Sequence, residues 1–109
     1  MTRRPKYGNR KTESNGFVFD SKLEARCYSE LRLRELAGEI EHLERQVRVP
    51  LQVGDKKVCA WIVDFEYWDK VSGKLTWCEA KGLMTPVASL KIKLAKALYP
   101  DVQIEIWKG

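Results

Sequence analysis

From Ile40 onward the hydrophobic period of this chain changes to two, and turn signals divide the stretch into three successive runs. That period most constrains the fold. Val47, Val49, Leu51 and Val53 alternate with Gln46, Arg48, Pro50 and Gln52, which describes a strand with one half-buried face. Gly54 and Asp55 turn the chain into a second run, Val58 to Trp68, and Lys70 to Gly73 turn it into a third, Leu75 to Lys81. Two hairpins are therefore expected. Pro50 puts the first strand at a sheet edge, because its nitrogen has no proton to give to a ladder.

Helical periods flank this block. Ser21 followed by Glu24 has the spacing of a capping box, and it opens a helix through Leu23, Cys27, Leu31 and Leu36 that stops at Gly38. Thr85 and Pro86 start a second helix, whose stripe is Val87, Leu90, Leu94, Ala97 and Leu98 and whose end lies near Tyr99 and Pro100. A short strand, Val102 to Trp107, comes last. The helix between the final two strands is long enough for a crossover, so those strands are expected to run parallel. The expected class is α/β, an αβββαβ core with a mixed four-stranded sheet flanked by two helices.

Charge divides the chain differently. Of the 20 Lys and Arg, Arg3, Arg4, Lys6, Arg10 and Lys11 precede the first acid, Glu13, and the remaining fifteen equal the 15 Asp and Glu. The net +5 therefore sits in the first eleven residues, within an N-terminal arm, residues 1–13, ahead of a single domain at residues 14–109. No run approaches the ~20 apolar residues of a membrane span. The arginines have no apolar stretch behind them, so the expectation is no secretory signal and a cytoplasmic location. Cys27, Cys59 and Cys78 form no CxxC pair and fit reduced thiols better than a disulfide framework or a zinc site.

The chemistry centres on Asp64, a charge inside the apolar run Trp61, Ile62, Val63, Asp64, Phe65. Such a charge needs a partner or a cation. Glu79 and Lys81 repeat the anomaly on the next strand; two apart, they share a face roughly 7 Å from each other, while Ala80 points away. A loop at Lys70 to Gly73 carries the hairpin register down to Asp64 opposite Glu79. Like charges directly opposite are destabilising unless something positive intervenes, and a hard divalent cation suits oxygen-only ligands. An ordinary salt bridge among Asp64, Glu79 and Lys81 is the competing reading. A third carboxylate, Glu24, sits one turn into the first helix.

Asp64, then Glu79, Ala80 and Lys81, preceded by a helical Glu24 in αβββαβ order, resemble the PD-(D/E)XK nuclease superfamily, with its restriction-endonuclease-like fold. Lys6 to Asn9, Phe19 to Ala25, Leu43 to Gln46, Val63 to Tyr67, and Lys81 with Gly82 look more narrowly like a small phage and prophage family. That family is catalogued as a domain of unknown function and placed among these endonucleases. The resemblance covers nearly the whole chain; Val63 stands where the superfamily's name puts proline. It implies Mg²⁺-dependent hydrolysis of DNA phosphodiesters, with Mn²⁺ as a substitute. Asp64, Glu79 and the Ala80 carbonyl would be metal ligands, Glu24 would join the shell, and Lys81 would orient the attacking water.

Other residues carry two readings each. Glu24 is a metal ligand or only the end of a capping box, and Glu66 is a rival ligand on the Asp64 face. Gln46 holds a phosphate or is a solvated strand residue. Lys91 is the candidate DNA contact on the second helix, with Lys93 and Lys96 steering DNA generally or forming a solvated face. The tryptophans read as core. The arm binds DNA phosphates or only aids solubility. The expected function is a phage-type, metal-dependent DNA endonuclease, working as a homodimer where both strands are cut, in the host cytoplasm. The alternative is a non-catalytic DNA-binding accessory that keeps the fold.

Overall fold

The structure, a computed structural model, describes residues 12–14 and 16–109. The five basic positions assigned to DNA, Arg3, Arg4, Lys6, Arg10 and Lys11, lie outside the described residues. The expected boundary between arm and domain follows residue 13. Strand β1 (Thr12–Ser14) pairs antiparallel with β2 (Phe17–Phe19), so that boundary runs through a strand. The polar triplet of β1 has no apolar alternation to reveal it.

Helix α1 (Lys22–Leu36) begins where the Ser21 hydroxyl accepts the Glu24 N–H at 3.1 Å. It ends in a Schellman motif: Gly38 adopts φ 79°, its N–H reaches the Glu35 carbonyl, and the Glu39 N–H reaches Arg34. Three strands follow, β3 (Ile40–Val53), β4 (Lys56–Asp69) and β5 (Lys74–Ala80), then α2 (Pro86–Leu98) and β6 (Gln103–Trp107). Thr85 caps α2 through the Ala88 N–H, and Pro86 fills its first turn. The sheet order is β3-β4-β5-β6, antiparallel except for the parallel β5/β6 pair. The mixed four-stranded sheet, its two helices and the edge position of Pro50 are as expected. Among the described residues no helix is long and apolar enough to cross a membrane.

Two clusters form the core. One joins Phe19, Cys27, Tyr28 and Leu31 to Phe65, Tyr67 and Cys78; the other joins Val49, Leu51, Trp61, Val63 and Trp77 to Ile92 and Ala95 of α2. Each fully buried large apolar side chain contributes about 1.5–3 kcal/mol. Trp77 and Cys78 are consecutive on β5 yet join different clusters, so α1 covers one face of the sheet and α2 the other.

Along β4 the positions 61, 63, 65 and 67 should share one face. Instead Trp61 and Val63 pack with α2, and Phe65 and Tyr67 with α1. The pleat changes phase at Asp64. On β3 the matching position is Gln46, flanked by the pairs Arg45↔Phe65 and Val47↔Val63, and its φ is 53°. Because both strands invert at the same level, the register survives while the buried side switches. The expected strands with one half-buried face are therefore each two half-strands serving opposite faces.

Candidate active site

At the phase change the ladder loses backbone partners, and carboxylates replace them. Pairs from Asp69↔Lys74 to Phe65↔Cys78 hold the expected register, which leads on to Asp64 and Glu79. There the connection is made by side chains. The Asp64 N–H donates to Glu79 Oε1 at 3.1 Å, and the Ala80 N–H donates to Asp64 Oδ2 at 2.9 Å. Glu79 Oε2 accepts the Trp61 indole N–H at 2.9 Å. Glu79 is buried although it lies at the end of a strand.

Lys81 follows directly on β5. Its backbone N–H donates to the Trp107 carbonyl at 3.1 Å, so the hydrogen bonding to β6 continues one residue past Ala80. The Lys81 side chain is half-buried.

Glu24 approaches from α1. Its N–H completes the Ser21 cap, but its carboxylate faces β3: Oε1 accepts Gln46 Nε2 at 3.0 Å and lies 4.0 Å from Arg45 Nη2. Arg45 is held in turn by β2. Its guanidinium carbon sits 4.6 and 4.3 Å from the Phe17 and Phe19 ring centres, and Nη2 donates to the Val18 carbonyl at 3.2 Å.

The three acids feel one another. Burial pushes the Asp64 carboxyl up to about 9, helped by the charges of Glu79 and Glu24 and by a hydrogen bond shared with Glu79. Burial also raises Glu24, with Asp20 adding to it and Arg45 and Gln46 opposing. One Glu24 turn further, Cys27 and Cys78 lie with their sulfurs 3.8 Å apart, and this shared hydrogen bond, with burial, pushes the Cys27 thiol far above its usual range.

The remaining sequence candidates fall elsewhere. Glu66, the rival ligand, accepts the Trp77 indole N–H at 2.8 Å. Lys91, the helix residue expected to meet DNA, donates to the Ala60 carbonyl at 3.0 Å and ties α2 to β4. Lys93 and Lys96 are exposed. Gln46 is exposed overall, but its amide is occupied by Glu24. Sequence reasoning missed Trp61 and Arg45. Arg45 carried a signal, a cation at an inward position of the alternating β3 run; Trp61 carried none, since it lies three residues from Asp64, on the other face of a regular strand.

The family described as "Protein of unknown function (DUF1064)" matches residues 4–108. The chain belongs to that family. No curated protein and no solved structure matches the chain. The family's description assigns no chemistry, so the geometry of the DUF1064 site carries the functional argument.

That geometry bears on a metal ion. Among the described residues no group of three or more His, Cys, Asp or Glu side chains is disposed to hold one. Both Glu79 oxygens and Asp64 Oδ2 already accept hydrogen bonds. A caged ion such as structural zinc does not fit this arrangement. Mg²⁺ does: it keeps several waters and takes one or two carboxylates plus substrate phosphate rather than an all-protein cage. The Asp64–Glu79 pair supplies two carboxylates; burial and then the charge of Glu79 raise the cost of ionising Asp64, a cost that a divalent cation would offset.

Proposed function

We propose that this chain is a metal-dependent DNA endonuclease. The observation that supports it is the direct linkage of Asp64 to Glu79 where the sheet changes phase, with Glu24 close enough to raise the Asp64 carboxyl and Lys81 following on the same strand. The resemblance to PD-(D/E)XK nucleases supports the same assignment. Asp64 and Glu79 would hold Mg²⁺ or Mn²⁺ with the Ala80 carbonyl, and Glu24 would join directly or through water. The bound ion would supply Lewis-acid polarisation and a nucleophile at neutral pH.

The chain's own residues have separate tasks. Lys81 would place an ammonium beside the scissile phosphate and orient the attacking water. Trp61 and the Ala80 N–H would fix the two ligand carboxylates by hydrogen bonds, which is how outer partners tune a metal site. DNA would be attracted by the basic arm and by Lys93 and Lys96 on α2, a segment with no acid between Gly82 and Pro100. Cutting both strands calls for two sites, which a homodimer would provide. The setting would be a phage or prophage, inside the host cytoplasm.

A second reading has its own support. The carboxylates already satisfy backbone and indole N–H groups, as they would in a DNA-binding accessory that uses them only to mend the sheet. One experiment separates the two: purified protein is incubated with labelled linear, flap and four-way-junction DNA, with Mg²⁺, Mn²⁺ or chelator, beside Asp64→Ala. The nuclease predicts cleavage that needs the cation and disappears in the variant. DNA binding without cleavage under any cation supports the accessory, and cleavage that persists in chelator refutes the metal mechanism.

A further inference from the structure

A glutamine has no intrinsic reason to occupy left-handed backbone. Only a few per cent of non-glycine residues do so, and the conformation persists only where tertiary structure enforces it. Glycine would make the β3 phase change at Gln46 with less strain. Gln46 instead adopts φ 53° and sends a long amide across to α1, where Nε2 meets Glu24 Oε1 at 3.0 Å. Its neighbour Arg45 approaches the same oxygen at 4.0 Å. Glu24 Oε1 is therefore fixed from β3 by an amide and a guanidinium.

From this we infer that Gln46 is a positioning residue for Glu24, not a phosphate contact. The inference rests on the endonuclease reading for its consequence, because a fixed Glu24 matters only if that carboxylate serves a cation held by Asp64 and Glu79. The amide does two things at once. It aims one carboxylate oxygen at β3, and it leaves Oε2, to which no described residue gives a hydrogen bond, as the Glu24 atom available to an ion or its water. The Gln46 donor is spent within the protein, so a DNA phosphate would have to displace Glu24 to use it. The backbone strain and the hydrogen bond are two views of one device: the left-handed turn that inverts the pleat also turns the side chain at position 46 towards the helix.

The test separates backbone from amide. Gln46→Gly relieves the left-handed strain and deletes the donor; Gln46→Met keeps side-chain length without a donor and covers the case in which glycine loosens the strand. Mn²⁺ binding to the full chain is followed by the loss of free-ion paramagnetic resonance signal, with Asp64→Ala as baseline, and thermal unfolding is recorded without metal. Removing a partner that orients a ligand typically weakens metal affinity 10–100-fold, so both variants should bind Mn²⁺ about tenfold more weakly, and Gln46→Gly should melt no lower than the parent. In a Glu24→Gln background, Gln46→Gly should cause no further loss. Parent-like Mn²⁺ affinity in both variants, or an undiminished loss in the Glu24→Gln background, overturns the positioning role alone. A parent protein that binds no Mn²⁺ above the Asp64→Ala baseline overturns the endonuclease reading and this inference with it.

Discussion

Replacing Asp64 by asparagine should stabilise the metal-free protein, and increasingly so as pH rises. The ordinary carboxyl value is 3.8; in the fold, burial and the neighbouring charges of Glu79 and Glu24 push Asp64 up to about 9. Between those values the folded chain keeps a proton that the unfolded chain has released, so stability falls with rising pH across that window. Asparagine needs no proton. Its carbonyl can accept the Ala80 N–H that Asp64 Oδ2 accepts now, and its amide can donate to Glu79 where the shared proton lies. The gap between variant and parent should widen by at most about 1.4 kcal/mol per pH unit, hence about 2–3 kcal/mol from about pH 5.5 to about pH 7.5. For a domain of this size that is roughly 10 °C in Tm. Calorimetry of both proteins at the two pH values, in chelator, measures it. An equal gap at both pH values would refute the claim that Asp64 is held protonated by its surroundings. Saturating Mn²⁺ should close the gap by stabilising the parent alone.

The other expectations concern different parts of the chain. Cys59 is exposed while Cys27 and Cys78 are buried with touching sulfurs, so an alkylating reagent should modify the native protein once, at Cys59; mass spectrometry showing a second rapid adduct would contradict the packing of α1 on β5. Asp69 accepts the Val71 and Ser72 N–H groups and the Gln103 amide, and these outweigh its burial and lower its carboxyl below the usual value. Its contribution is full above the unfolded value of 3.8 and is lost as pH falls below it, so Asp69→Ala should cost about 2 kcal/mol at neutral pH and progressively less below about pH 3.8, by chemical denaturation. If the five arm cations lie on phosphates, log affinity for DNA should fall with log salt at a slope of about −4 to −5, and deleting residues 1–11 should flatten it; an unchanged slope removes the arm from the interface.

The elements were legible because each had local punctuation. Ser21, Gly38, Thr85 and Pro86 mark helix ends through their own backbone and side-chain chemistry, and the Lys70 to Gly73 loop fixed the β4/β5 register. The β1/β2 hairpin was not legible, since a three-residue polar strand exists only through its partner. Nor was the change of pleat phase. Period-two patterning reports which residues share a parity, and here Trp61, Val63, Phe65 and Tyr67 hold every second position straight through the break; it does not report which face they seek. That depends on two helices lying on opposite sides of the sheet, a tertiary fact.

The inversion of the pleat also accounts for where the acids sit. An unbroken sheet between two helices would offer Asp64 only an apolar covering, and an ionised carboxylate there would be expelled or would unfold the strand. A level at which both strands invert leaves N–H groups at positions 64 and 80 that need acceptors, and side-chain carboxylates can provide them. The strain at Gln46 and the two carboxylates thus belong to one break: left-handed Gln46 on β3 faces it, and the acids on β4 and β5 make it tolerable. If this coupling is right, Glu79→Ala should lose more stability than truncating an exposed acid such as Glu44, because it strands the Asp64 N–H and the Trp61 indole together, at about 1–3 kcal/mol for each unsatisfied donor. Urea unfolding of the two variants decides it, and equal losses would mean that the sheet closes over the break without its acids.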